Sequence, residues 1–302
     1  MKKALLLLLL IGPIMTLNAS GQAELRLYYS ASLNGNLDGC LCKSGPRGGL
    51  VKRAHYLRSV DRTQSILVDA GDIFDIHHDI LLAEAILQVY GDLGYDAVAV
   101  GDQEFSCGVG RFLEYGEGLP FLSNNLALCP DESRCILFST GPLILERGDL
   151  TVGIFAILDP QVFQLYPEEL TRALKLTAPE TAAGNMLEIL ADRGANLNIL
   201  LYHGPYESAV KLAEAFPALD VIVVGHEQRL IEAQHVGNAI IVSPGEEGNR
   251  LGILDLRLDN KGVAGYSNHF LLFDYEKDPD DPQVRELIEE YTAALRSKTG
   301  IP

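Results

Sequence analysis

The sequence predicts an α/β fold in which β-strands are covered by helices. From residue 24 onward, short apolar segments of strand length alternate with longer amphipathic segments, a pattern typical of strands connected by helices. Two later apolar segments are separated only by the turn-forming residues 259–261, which indicates an antiparallel hairpin. A hairpin added to such strands predicts a mixed sheet or a second sheet.

Each element follows from local periodicity and from the turn residues that bound it. Strands are predicted at 25–30, 65–69, 97–100, 121–123, 151–157, 197–202, 221–224 and 239–242. Amphipathic helices are predicted at 50–60, 80–93, 109–115, 179–193 and 206–216. The hairpin strands are predicted at 251–258 and 262–273, and a final helix with a proline near its start at 282–297.

The first residues have the features of an export signal. Lys2 and Lys3 precede an apolar stretch at 4–17, and small residues suited to cleavage follow between positions 19 and 23. The apolar stretch is short for a membrane-spanning helix and is interrupted by a Gly-Pro pair. We therefore expect residues 1–23 to be a signal peptide, and the mature protein to be periplasmic or extracellular with no membrane span.

Composition limits the classes of function. The formal net charge is −17, so the basic footprint of a nucleic-acid-binding protein is missing. A small phosphorylated or other anionic substrate would need local cations or a metal to offset this field. No linker-like segment divides residues 24–276, so we expect one domain there, followed by a charged segment and helix at 277–302.

Four separated segments place a potential metal ligand directly after a predicted strand. The segments are 67–72, 99–105, 200–204 and 223–228, and the ligands are Asp72, Asp102, His203 and His226. In open α/β sheets, binding sites assemble beyond the carboxyl ends of the strands. Two carboxylates and two imidazoles suit a divalent transition metal, here Zn, Mn or Fe. The sequence therefore predicts one shared metal site.

The order of these segments resembles the calcineurin-like metallophosphoesterases, and most closely the catalytic domain of exported 5′-nucleotidases. That family shows Asp-x-His, Gly-Asp, Gly-Asn-His-Glu, a lone His and Gly-His-x-His. The corresponding segments here are Ser32-Leu33-Asn34, Gly71-Asp72, Gly101-Asp102-Gln103-Glu104, His203 and Gly225-His226-Glu227-Gln228. The resemblance extends over residues 25–275. It implies a four-layer α/β/β/α sandwich of two mixed β-sheets flanked by helices, and hydrolysis of phosphate esters.

The resemblance also implies two adjacent metal positions that share Asp72. One set of ligands is complete, with a carboxylate at Asp102 where the family has an amide. The other set is eroded, and its changed members are Ser32, Asn34 and Gln228. Because all three changes affect the same ion, we expect a degenerate site that holds one ion rather than two.

The catalytic position of the family is also changed. Gln103 stands where the family has a histidine, and an amide donates a hydrogen bond but is not a general acid at pH 7. Gln103 and Asn34 are the candidates for direct catalytic contacts, and Glu104 is expected to brace the loop of Asp102. One metal still provides a Lewis acid, so we expect weak or altered hydrolysis.

The chain has five cysteines. Cys129 and Cys135 bracket a polar loop and are candidates for a disulfide. Cys40 and Cys42 precede Gly48-Gly49, and Cys107 follows the Asp102 segment, so all three are expected to border the same crevice. They would form a redox or soft-metal group, or alternatively a structural thiol pair or a disulfide to Cys107. The alternative function is a non-catalytic metal-binding or thiol-redox protein with an exported redox partner.

Overall fold

The computed structural model describes residues 23–42, 45–116, 118–131 and 134–299. The predicted signal peptide, apart from Ala23, lies outside the described residues. The strands are β1 (Ala23–Ser30), β2 (Gly39–Cys42), β3 (Gly45–Gly48), β4 (Ser65–Asp69), β5 (Ala97–Ala99), β6 (Phe121–Leu122), β7 (Leu126–Asp131), β8 (Arg134–Leu137), β9 (Leu143–Arg147), β10 (Leu150–Leu158), β11 (Leu174–Leu176), β12 (Leu197–Gly204), β13 (Val221–His226), β14 (Leu230–Val236), β15 (Ala239–Pro244), β16 (Arg250–Asp259) and β17 (Gly262–Leu272).

The α-helices are α1 (Leu50–Ser59), α2 (Ile80–Leu93), α3 (Val109–Tyr115), α4 (Glu168–Thr171), α5 (Pro179–Asp192), α6 (Tyr206–Ala215) and α7 (Pro282–Thr299). Two 3-10 helices lie at Gln103–Phe105 and Pro160–Phe163. Within the described part of the chain, no helix has both the length and the apolar character needed to cross a bilayer.

The first large sheet has the strand order β17-β16-β1-β4-β5-β6. β1, β4, β5 and β6 run parallel to one another. The C-terminal hairpin of β16 and β17 joins antiparallel to β1. This sheet is therefore mixed, as the combination of alternating helices and a hairpin predicts.

The second large sheet has the strand order β14-β15-β13-β12-β10-β9. Its four central strands are parallel, and the edge strands β9 and β14 are antiparallel. Two smaller sheets, β11-β7-β8 and β2-β3, lie outside the two large ones.

Three apolar cores divide the molecule into layers. The central core packs alternate residues of the two large sheets against each other, such as Leu27 and Ile66 against Ile154 and Ile199. A second core packs α1, α2 and α7 on the outer face of the first sheet. A third packs α5 and α6 on the outer face of the second sheet. Successive side chains of a β-strand point to opposite faces of the sheet. A strand that is buried on both faces is therefore apolar along its whole length in the sequence. The predicted helix/sheet/sheet/helix arrangement is confirmed.

The C-terminal helix is held against the first sheet's helices by polar contacts as well. Asp281, 2% exposed, accepts hydrogen bonds from the backbone N–H groups of Gln283 and Val284 and so caps α7. The Tyr291 hydroxyl donates to Oδ2 of Asp79 at 2.6 Å, and Asp79 caps α2. Helix α7 is thus packed on the domain rather than separate from it.

Candidate metal centre

The four predicted ligands come from the ends of strands in both large sheets. Asp72 and Asp102 follow β4 and β5 of the first sheet, and His203 and His226 lie at the ends of β12 and β13 of the second. One possible ligand atom from each side chain lies within 4.8 Å of all the others. The aspartates and His203 are buried, and the His226 side chain is 30% exposed. The sandwich therefore places two carboxylates opposite two imidazoles at one end of the sheets.

Asp102 is the common neighbour of both histidines. Its Oδ1 lies 3.0 Å from Nε2 of His203 and 3.0 Å from Nδ1 of His226. Nε2 of His203 also lies 3.3 Å from Oδ1 of Asp72. Burial raises the pKa of the Asp102 carboxyl, but the hydrogen bonds from His203 and His226 lower it more, so the net shift is downward. Asp102 is held as a carboxylate.

The ring of His203 has a defined tautomer. Its Nδ1 lies 2.7 Å from the carbonyl oxygen of Ala70. Because a carbonyl only accepts, Nδ1 carries the hydrogen, and Nε2 of the neutral ring presents a lone pair. That lone pair faces acceptor oxygens of Asp72 and Asp102. Three acceptors around one point need a hydrogen or a metal ion between them: a second ring proton on Nε2, which then donates to Asp102, a proton on a carboxyl, or a metal ion.

The electrostatics of His203 agree with this geometry. Burial lowers the pKa of the imidazole, whereas the charge of Asp72 and the hydrogen bonds to both aspartates raise it, and the net shift is well above its ordinary value. The surroundings thus favour positive charge at this position.

Three glycines make the close approach of the ligand loops possible. A Cβ on Gly101 would lie 2.5 Å from Oδ1 of Asp72, and one on Gly225 would lie 2.2 Å from the carbonyl oxygen of Ala70. Gly71 has a φ of +92°, and a Cβ there would lie 2.8 Å from Nδ1 of His203. The Gly-x pairs in the motifs are therefore steric requirements of the site.

Glu104 joins the two aspartate loops. Its carboxyl is fully buried and accepts from the backbone N–H groups of Ile73 at 2.7 Å, Asp72 at 3.2 Å and Gly101 at 2.6 Å. Burial and the nearby Asp72 charge raise the pKa of Glu104 to about 8, against these donors, which favour the ionised form. The contacts agree with the predicted bracing role and extend it to the loop of Asp72.

Backbone conformation at the site is unusual. The non-glycine residues with positive φ include Ser32 (49°), Asn34 (52°), Asp72 (60°), His226 (81°) and Gln228 (55°). Such conformations cost free energy for residues with a Cβ and concentrate at functional sites. They occur here at retained and at eroded ligand positions alike.

At the eroded positions, an amide bridges two oxygens. Nε2 of Gln103 donates to Oδ1 of Asn34 at 3.1 Å and to Oδ2 of Asp72 at 3.2 Å. Among the described residues, the buried Oε1 of Gln103 and Oγ of Ser32 have no hydrogen-bond partner, and Gln228 is exposed. Neutral oxygens and a bound amide N–H are poor ligands for a divalent transition metal.

Two further residues, Tyr166 and Asp69, form hydrogen bonds at the site. The Tyr166 hydroxyl donates to Oδ2 of Asp102 at 2.6 Å. Asp69, fully buried, accepts from the backbone N–H of Gly71 and from the hydroxyls of Ser30 and Tyr90. Asp69 directly precedes the ligand loop, which is a signal that sequence can show, but nothing local marks Tyr166.

The cysteines divide into separate groups. Cys129 and Cys135 form a disulfide, and Cys40 is also disulfide-bonded. Cys107 is a free thiol, so the structural pairing that included Cys107 is wrong. Burial raises the pKa of the Cys107 thiol, which disfavours the reactive thiolate. The side chain of Cys42 lies outside the described residues.

Comparisons with known proteins agree with this architecture. No protein-family model matches the sequence. The chain is 25% identical over 275 residues to the trifunctional nucleotide phosphoesterase protein YfkN of Bacillus subtilis, and 24% identical over 293 residues to bovine 5′-nucleotidase. The crystal structure of a 5′-nucleotidase precursor from Thermus thermophilus superposes with a TM-score of 0.77 at 22% identity. The fold is that of the calcineurin-like metallophosphoesterases.

The resemblance predicted from motif order is therefore confirmed, and the three relatives named above are a nucleotide phosphoesterase and two 5′-nucleotidases. The alignments cover 78% of this chain with YfkN and 85% with bovine 5′-nucleotidase, and the superposition covers 91%. The chain spans only part of each of these relatives, namely 19%, 49% and 59% of their lengths.

Proposed function

We propose that this protein is an exported hydrolase of phosphate esters that works with a single divalent ion, held by Asp72, Asp102, His203 and His226. The observation that carries the proposal is the convergence of their four potential ligand atoms within 4.8 Å. Its relatives include a nucleotide phosphoesterase and 5′-nucleotidases, which supports the reaction class.

The donor set fits a divalent transition metal. Two carboxylate oxygens and two imidazole nitrogens suit Zn, Mn or Fe. The lone pair of His203 Nε2 points toward two carboxylate oxygens, and an ion there would remove the repulsion among these acceptors. The hydrogen bond from Nδ1 to the carbonyl oxygen of Ala70 orients the ring in the way that backbone carbonyls orient metal-binding histidines. When bound, the ion would act as a Lewis acid on an ester phosphate oxygen.

The surrounding side chains support one ion rather than two. The amide of Gln103 already connects Oδ1 of Asn34 with Oδ2 of Asp72. A second cation there would meet an N–H donor and neutral oxygens, and it would have to break this bridge. The symmetric clamp of a two-metal phosphoesterase is therefore not part of the proposal.

The same residues limit the rate. Gln103 orients an acceptor through its N–H₂ group but holds no proton that it could give to a leaving group at neutral pH. Asn34 Oδ1 accepts from that amide and keeps it in place. We therefore expect slow hydrolysis that favours esters with good leaving groups.

The charge of the chain makes substrate binding depend on the ion. With a formal net charge of −17, the protein repels anions unless a local positive charge offsets its field. The Arg47 guanidinium, on β3, is paired with Glu246, and Arg53 is fully buried. Neither of these two described arginines is free to neutralise a phosphate, so the proposal makes the ion the attraction for a small phosphorylated substrate.

The test is metal content and hydrolysis of the same preparations. Protein purified without chelators should contain about one Zn, Mn or Fe per chain and should cleave 4-nitrophenyl phosphate slowly. His203→Ala should lose both the ion and the cleavage, whereas His235→Ala, a change of an exposed histidine on β14, should keep both. Absence of bound ion and no stabilisation by added ions would refute the metal site. Two ions per chain would refute the single-ion part.

Export has its own support and its own test. Lys2, Lys3 and the apolar stretch at 4–17 have the composition of a signal peptide. In the producing cell, the protein should be recovered outside the cytoplasm with a new amino terminus near residues 21–24. An uncleaved cytoplasmic product would contradict the proposal.

A further inference from the structure

The two carboxylate oxygens of Asp102 have different hydrogen-bond partners. Its Oδ1 lies 3.0 Å from both His203 and His226, and its Oδ2 accepts a 2.6 Å hydrogen bond from the hydroxyl of Tyr166. We propose that Tyr166 is a positioning residue that sets the metal affinity of the site by fixing which oxygen of Asp102 faces the ion. This inference rests on the proposed function.

A buried carboxylate at this position needs such a partner. Asp102 is 5% exposed, so water satisfies little of its hydrogen-bonding capacity, and an unpaired buried acceptor is costly. The resembling family has an amide here, whose second polar atom is a donor. In this chain the second atom is a charged acceptor, and the phenol supplies the donor that it requires. Without that bond, Oδ2 would be free to rotate toward the ion and compete with Oδ1.

The hydroxyl of Tyr166 is held in place before any ion binds. Tyr166 lies between the second 3-10 helix and α4, and its backbone N–H donates to the carbonyl oxygen of Phe163 at 3.0 Å. Its ring packs edge-to-face on Phe163 with centroids 5.3 Å apart. The ring of Phe163 also packs against that of Phe105, with the ring centroids 6.2 Å apart. Phe105 belongs to the 3-10 helix that starts directly after Asp102. The donor and its acceptor are therefore anchored to one aromatic cluster.

The experiment compares two Tyr→Phe variants of the full chain by calorimetric titration with Mn²⁺ and with Zn²⁺. Tyr166→Phe should weaken binding about 10-fold, the low end of the loss seen when a group supporting a metal ligand is removed. Tyr291→Phe is a matched control, because its hydroxyl donates to Asp79 at the same distance of 2.6 Å and is also part-buried. Asp79 is not a proposed ligand, so this variant should bind both ions like the wild type.

The outcomes separate this inference from the proposed function. Equal affinities of Tyr166→Phe and wild type, within twofold, would overturn the role of Tyr166 and leave the metal site intact. Equal weakening in both variants would also overturn it, because the loss would then follow from general destabilisation. A wild type that binds neither ion would overturn the proposed function itself. Thermal unfolding of the ion-free variants should show similar shifts for both, since each loses one hydroxyl hydrogen bond.

Discussion

Replacing Glu104 by glutamine tests whether one buried carboxyl joins the two aspartate loops. In the wild type its two oxygens accept from three backbone N–H groups, those of Ile73, Asp72 and Gly101. Because burial and the Asp72 charge raise the pKa of Glu104 to about 8, the carboxyl is neutral at pH 5, and both of its oxygens can still accept. Glutamine has nearly the same shape but keeps one acceptor oxygen and presents N–H₂ in place of the other. One or two of the backbone donors would then face another donor in a fully buried position.

The expected loss follows from the number of bonds affected. A buried donor left without a partner costs about 1–3 kcal/mol. If the amide oxygen takes the place of Oε2, it still accepts from Asp72 and Gly101, and only the Ile73 N–H loses its acceptor. If it takes the place of Oε1, it accepts from Ile73, and the other two N–H groups lose theirs. We therefore expect Glu104→Gln to lower the free energy of unfolding by about 2 kcal/mol. Because Asp72 and Asp102 lie on the loops that Glu104 joins, affinity for the ion should also fall about 10-fold.

Urea unfolding at pH 5, where the buried Glu104 carries no charge, measures the free energy of unfolding, and calorimetric titration with Mn²⁺ measures the affinity for the ion. Glu114→Gln serves as the control, since its side chain is 62% exposed and its ion pair with Arg111 is a kind of surface contact that contributes little. The reasoning is refuted if Glu104→Gln unfolds within about 0.5 kcal/mol of the wild type, the usual range for surface changes. A large loss of stability with unchanged affinity would refute only the coupling to the metal site.

Two further changes test other contacts. Burial raises the pKa of Asp220 to about 6, so between about pH 4 and pH 6 the folded state binds more protons than the unfolded state, and stability falls as pH rises through this window. Asp220→Asn should remove that fall and add about 3 kcal/mol above pH 6 in urea unfolding, since the pKa is shifted from 3.8 to about 6 and each pKa unit corresponds to about 1.4 kcal/mol. Asp149→Asn, a change of an exposed residue, should leave the fall unchanged, and parallel pH profiles for Asp220→Asn and wild type would contradict this. Gly225→Ala should abolish ion binding in titration, because its Cβ would lie 2.2 Å from the carbonyl oxygen of Ala70. Gly141→Ala is the control and should bind the ion normally, because its Cβ meets nothing within 4 Å. Normal binding by Gly225→Ala would contradict the prediction and show that the loop can move.

Much of the fold could be predicted because its cores are built from contiguous segments. Strands such as β4, β12 and β13 are apolar along nearly their whole length, since both faces are buried between a sheet and helices. The hairpin of β16 and β17 was predicted from the turn between its strands. Several of the segments that periodicity missed are short or lie at the edge of a sheet. β2 and β3 contain four residues each and include three glycines and a proline, and β8 is exposed throughout, so neither carries an alternating apolar pattern.

The candidate site, like the fold, was predicted from the sequence only in part. Strand-end positions predicted which four side chains would lie near one another, and the structure places them within 4.8 Å; that they bind a metal remains a proposal. Sequence alone did not show how Gln103 is used, because a glutamine after a strand can point in many directions. Its bonds to Asn34 and Asp72 depend on a residue 69 positions away and on loops with positive φ.

The sequence by itself determined the layered α/β architecture and the edge of the sheets at which polar side chains gather. Burial imposes a periodicity that each segment carries locally, and parallel strands bring their carboxyl ends to one side. Only the tertiary structure decided how each polar atom is satisfied. The bond between Tyr166 and Asp102 joins residues 64 positions apart, and its geometry depends on loop conformation and aromatic packing. Hydrogen bonds require atomic placement to within a few tenths of an ångström, and such placement arises from the packed chain as a whole.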